Sequence, residues 1–134
     1  MTTVDQQIQA FLVGAPHAVV GASNDRSKFG NKVLRTYVQN GRPVYPVNPS
    51  AGTIEGLKAY ATLEELPEAV HGISIITPPE VTERIIDQAI ALGIGHVWMQ
   101  PGAESQAALD RARAAGLNTI AGGPCILVVL GFPG

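Results

Sequence analysis

The pattern that most constrains this chain is the alternation of short Val- and Ile-rich runs with helical stripes. The runs are His17–Ser23, Pro43–Asn48, Gly72–Thr77, His96–Gln100 and Leu117–Ala121. Each is of strand length, and most lack strict polar alternation, as strands covered on both faces of a parallel sheet do. Between them, apolar residues recur at helical spacing: Val33, Leu34, Tyr37 and Val38, then Val81, Ile85, Ile86, Ala89 and Ile90, then Ala108, Leu109, Ala112 and Ala115. Gly41, Gly93 and Gly116 stand where helices close, Thr77-Pro-Pro-Glu80 reads as a capping box with proline at the first helical position, and Thr62 with Glu65 reads as another box. Val4, Ile8, Phe11 and Leu12 add an N-terminal amphipathic helix ending near Gly14. Strand and helix in alternation predict right-handed crossovers and a Rossmann-like, doubly wound α/β fold, its mostly parallel five-stranded sheet carrying helices on both faces.

Length and composition narrow the function classes. With 134 residues and 46% hydrophobic content, the expectation is one domain over 1–134, the helix of residues 1–14 packed on it. A single cysteine, Cys125, excludes an internal disulfide and a Cys-rich zinc site. Without a basic-plus-apolar leader, the expected location is the cytoplasm. The longest apolar run, Cys125 to Leu130, is far short of the roughly 20 residues that a membrane-spanning helix requires. A net charge of −2 argues against nucleic acid, whose phosphates are held by a basic face.

In a doubly wound sheet, ligands bind beyond the carboxyl ends of the strands. The residues following each run therefore form the candidate site: Gly21-Ala-Ser-Asn24, Asn48-Pro-Ser50, Thr77-Pro-Pro79, Gln100-Pro-Gly102 and Gly122-Gly-Pro-Cys125. The first turn places Gly21 after a strand and Gly30 near a helix start, with Arg26 and Lys28 between. Amides at that helix terminus suit a phosphate, and the basic residues favour this over a plain strand-to-helix turn. A nicotinamide dinucleotide fits less well. Its G-x-G-x-x-G pattern needs glycine where Ser23 stands, and the carboxylate that holds its ribose is replaced by Asn48 and Pro49.

The segments VVGASNDRSKFGNKV, PVYPVNP, ITPPE, VWMQPGAES and GPCILV, in this order and spacing, resemble the stand-alone bacterial coenzyme A-binding domain family. More distantly, they resemble the N-terminal domain of the succinyl-CoA synthetase alpha subunit. The resemblance implies CoA or acyl-CoA as the small-molecule ligand. It implies Gly21, Ala22 and Ser23 against the pyrophosphate, whose amide partners extend to Asn24, with Arg26 and Lys28 in the turn's extension. It further implies Asn48, Pro49 and Ser50 beside the adenosine, Thr77 and Pro78 as the adjoining wall, and Gln100 in the turn after the fourth strand. The synthetase has a lysine where this chain has Ser50 and Ala51, so the resemblance implies that the 3′-phosphate is met from elsewhere in the chain, Lys28 being one candidate. Its phosphohistidine belongs to a separate domain, so the resemblance implies binding without turnover. The alternatives are an NAD(P)-binding oxidoreductase-like domain and the nucleotide-binding subunit of a two-chain acyl-CoA synthetase. A monomer or weak homo-oligomer is expected.

Other chemistry-bearing residues read as structural. His17, His71 and His96 each fall at or just before a strand start, the edge opposite the ligand, and are expected as surface or strand-end residues without metal. Trp98 reads as core, and Glu80 and Glu83 as helix-dipole partners rather than an acid/base pair. Phe29 either covers the adenine or anchors its loop. Cys125 either faces the CoA thiol or is packed away beside Ile126 and Leu127, and its apolar neighbours favour packing.

Overall fold

The computed structural model describes residues 2–132, so positions 1, 133 and 134 of the expected domain lie outside the described residues. Helix α1 (Val4–Leu12) precedes β1 (His17–Val20), α2 (Phe29–Gln39) and β2 (Val44–Val47). A hairpin of β3 (Thr53–Ile54) and β4 (Leu57–Lys58) and a 3-10 turn at Leu63–Glu65 follow. The chain continues through β5 (Gly72–Ile75), α3 (Pro79–Leu92), β6 (His96–Met99), α4 (Gln106–Ala114), β7 (Asn118–Ile120) and α5 (Ile126–Leu130). The main sheet has the order β2-β1-β5-β6-β7, and all its pairs are parallel. This is the doubly wound arrangement expected. Its order reverses beside β1, since β2 lies on one side of β1 and every later strand on the other.

Alternating side chains build two cores, one on each face. Ala18, Val20, Ile73, Ile75, Val97 and Met99 pack with Ile86 and Ala89 of α3, Ala108 and Ala112 of α4, and Leu63. Val19, Trp98 and Ile120 pack with Phe11 of α1, Val33, Leu34 and Tyr37 of α2, Ile54 and Ile126. Trp98 is fully buried, as expected, and its Nε1 donates to the Pro124 carbonyl at 3.0 Å. Gly41, Gly93 and Gly116 all take positive φ at helix ends, also as expected.

Two local expectations are corrected, and two elements are new. Thr77 and Glu80 form no capping box: Pro78 is the N-cap of α3, leaving no side-chain cap, and the Thr77 hydroxyl pairs instead with that of Thr82 at 2.8 Å. Val38 and Ile90 lie outside the cores, at 47% and 37% exposure, because each sits at the solvent margin of its helical stripe. The hairpin and α5 were not anticipated. Glu55 at φ 50° and Gly56 at φ 79° make the two-residue turn, whose sequence signal is a glycine between Thr53-Ile54 and Leu57.

Candidate functional site

The sheet order predicts a crevice at the carboxyl ends of β1 and its neighbours, and a cleft of about 580 Å³ occupies that place. Its floor is the Gly21 turn. Gly21 has φ 98°, and a side chain there would meet the Ile76 carbonyl at 3.0 Å. Gly30 is more constrained, for a Cβ would stand 2.0 Å from the Gly21 carbonyl oxygen. The glycine pair thus lets the first turn of α2 rest directly on the β1 turn, which brings helix amides to the cleft floor.

A dense polar frame holds the loop between them. Asn31, fully buried, donates through Nδ2 to the Ser23 carbonyl at 2.9 Å and to Glu55 at 3.0 Å. Asn48 donates to the Ala22 carbonyl at 2.8 Å and accepts from the Ser50 amide at 2.7 Å, tying the β2 crest to the β1 turn. Asp25 accepts from the Ser27 hydroxyl at 2.6 Å and from its amide, bonds that hold the carboxyl below its ordinary range. Neither α2 nor α3 has a side-chain cap, and both N-termini border the cleft. Their positive dipole ends, with Lys28 at the N-cap of α2, make this rim suited to an anion.

Among the expected site residues, Gly21, Ala22, Ser23, Lys28, Phe29, Asn48, Pro49, Thr77 and Pro78 line the cleft together. Asn24, Arg26 and Ser50 lie outside its lining. Arg26 turns towards the hairpin, where its Nε is 3.4 Å from Glu55. Gln100 is corrected outright. It is fully buried, and its Oε1 accepts from the Ile126 amide at 3.0 Å, so it caps α5 from inside the protein. The turns after β6 and β7 likewise stay out of the cleft, which opens only at the strand-order reversal. Phe29 borders the cleft and packs on the α2-side core, as an anchor of its loop does.

The sequence reading missed the opposite wall, where Ala61, Thr62 and Leu63 face Val81, Ile85 and Gln88 of α3. The stripe of α3 is legible in the sequence, but its spacing does not show that Val81 and Ile85 also face a cavity. A helix residue spaced for burial looks the same whether it faces a strand or a cavity. Cys125 is half-buried at the turn preceding α5 and does not border the cleft, which corrects the expectation of full packing. Glu83 accepts from Ser105 at 3.0 Å and pairs with Arg111 at 3.4 Å, so it joins α3 to α4.

The histidines stand at the far edge as expected, but His17 is no surface residue: it is fully buried, because α1 lies across that edge. Its Nε2 donates to the Phe11 carbonyl at 2.8 Å, and His71 Nε2 to that of Ala10 at 2.8 Å. The His71 and His96 rings stack at 4.1 Å. Burial lowers His17 to about 4, overriding the opposing effect of its bond to Phe11, and lowers His96 as well. No group of metal-ligating side chains occurs among the described residues.

The CoA binding domain model matches residues 16–131. The chain belongs to the CoA binding domain family. Among curated proteins, it is 33% identical over 78 residues to the alpha subunit of acetate–CoA ligase [ADP-forming] II from Pyrococcus furiosus, covering 58% of this chain and 17% of that one. It is 31% identical over 105 residues to a trans-feruloyl-CoA synthase of an unknown prokaryotic organism, covering 77% of this chain and 15% of the relative. The chain therefore spans less than a fifth of either relative. Among solved structures, a conserved hypothetical protein from Pyrococcus furiosus superposes with a TM-score of 0.82 at 38% identity, covering 87% of this chain and 99% of that one. The dinucleotide-forming acetyl-coenzyme A synthetase 1 of Ca. Korarchaeum cryptofilum gives 0.71 at 28% identity, over 83% of this chain and 27% of that one. Both the stand-alone and the ligase-embedded forms of this fold are thus represented among its neighbours. No helix among the described residues is long and apolar enough to cross a membrane.

Proposed function

We propose that this domain binds coenzyme A or an acyl-CoA through its ADP moiety and does not turn it over. The pyrophosphate lies on the Gly21–Asn24 turn and the first turn of α2, with Lys28 as its charged partner. The carrying observation is the cleft at the strand-order reversal, floored by the Gly21–Gly30 contact and rimmed by two uncapped helix N-termini. Membership of a CoA binding family supports the choice among nucleotide ligands. The residue after β2 also disfavours NAD. It is Asn48, whose amide is engaged by the Ala22 carbonyl and Ser50, where a ribose-binding carboxylate would be required.

As a cytoplasmic, single-domain protein over 1–134, it would act as a monomer or weak homo-oligomer, its output being recognition itself. Calorimetry with CoA and NAD side by side tests the ligand. Tighter CoA binding is expected, and tighter NAD binding overturns the assignment. Similarity to a ligase alpha subunit favours a second reading, in which the chain is the nucleotide-binding part of a two-chain ligase. Native mass spectrometry of the protein purified from its own cells separates the two, since the second requires a co-purifying partner chain.

A further inference from the structure

The cleft is longer than a diphosphate needs. From the Gly21 turn it passes onto the α3 face of the sheet, over Val20 and Val47 and between Leu63 and the α3 residues Val81 and Ile85. Gln88 is the lining residue farthest along α3, about 15 Å along the helix axis from Pro78 at a rise of 1.5 Å per residue. Aliphatic walls surround the approach, whereas Gln88 brings an amide. It is half-buried, and that amide engages no group among the described residues.

We propose that Gln88 reads the edge of the adenine base of the bound ligand and so sets base specificity; this rests on the CoA reading above. The aliphatic walls suit the two faces of a flat base. A glutamine amide offers an acceptor beside a donor, which is the complement of adenine's amino group and an adjacent ring nitrogen. Phosphates at the Gly21 turn then leave the base to run down the α3 wall, and the pantetheine arm to leave towards the open side.

Calorimetry with CoA and with 1,N6-etheno-CoA, in which the amino edge is bridged while phosphates and arm are unchanged, tests this on wild type and Gln88→Leu. Wild type should prefer CoA by roughly ten-fold or more, the discrimination one bidentate pair provides. In Gln88→Leu the preference should collapse towards one, with CoA itself weakened. Thermal unfolding of the variant checks that it folds, and Gln88→Asn, whose amide is too short to reach, replaces it if it does not. A wild-type preference that survives in the variant, or no preference at all, overturns the role of Gln88 while leaving CoA binding intact. Wild type that ignores CoA but binds NAD overturns the ligand assignment and this inference with it.

Discussion

The two edges of the central sheet are built from the same strands yet handle their polar groups in opposite ways. At the amino edge, the carbonyls that end α1 are all matched: His71 donates to Ala10, His17 to Phe11 and Arg42 to Leu12, while Asn118 reaches the Gln7 carbonyl. Phe11 seals this edge, its ring 4.7 Å from that of His17 and 5.3 Å from Trp98. At the carboxyl edge two helices begin without side-chain caps, and Lys28 borders an open cleft that runs on along α3 to Gln88. A helix terminus left without internal partners is satisfied by solvent or by ligand. The difference teaches that histidines in a small protein are not, by themselves, signs of chemistry. Here they fasten a helix, and the binding edge is marked by two helix termini without side-chain caps.

The contrast can be broken most forcefully at the amino edge. Phe11→Ala removes a fully buried ring and should cost about 3–5 kcal/mol in denaturant unfolding, while the CoA affinity of the protein that remains folded stays the same. A loss of affinity in that folded fraction would mean the two edges are coupled.

Acid should act at the same edge. The unfolded chain takes up a proton on His17 near pH 6.5, whereas in the folded protein burial delays this to about 4. Protonation therefore favours the unfolded state. Stability is fully present above about pH 6.5 and falls as pH drops towards 4, by up to about 3 kcal/mol from this group, and His96 shifts in the same direction. Unfolding curves across this range check it, and His17→Phe should flatten the slope.

At the carboxyl edge the effects should fall on affinity. Lys28→Ala should weaken CoA by about 1.5–3 kcal/mol, as loss of a charge-assisted contact does. Arg26→Ala should leave affinity nearly unchanged, since that guanidinium faces Glu55 rather than the cleft. Equal losses from both variants would return Arg26 to the site. Gly30→Ala forces a Cβ against the Gly21 carbonyl and should cost about 1–3 kcal/mol of stability together with much of the binding, because the loop and helix must part.

Much of this was legible beforehand. Runs such as GISII and HVWM announced buried parallel strands, and the glycine turn, Asn48-Pro49 and Thr77-Pro78 were found to share one cleft because strand order alone brings their ends together. What escaped depends on side-chain direction. Gln100 follows a strand as a crest residue should, yet its amide turns inward to α5, a five-residue helix that no periodicity could announce. Arg26 and Lys28 look equivalent two positions apart, until the Glu55-Gly56 hairpin draws one of them away. The α3 wall was hidden for the opposite reason, as Val81 and Ile85 carry the signature of core residues while facing a cavity. His17 was misjudged because its burial comes from α1, an element outside the alternating pattern.

The most direct test of the account is an amide NMR titration with CoA. The shifts should concentrate at Gly21–Gly30, Asn48 and Thr77–Gln88, while His17, His71, His96 and Asn118 stay still. Perturbations centred on the histidine edge, or larger responses to NAD at the same concentrations, would contradict it.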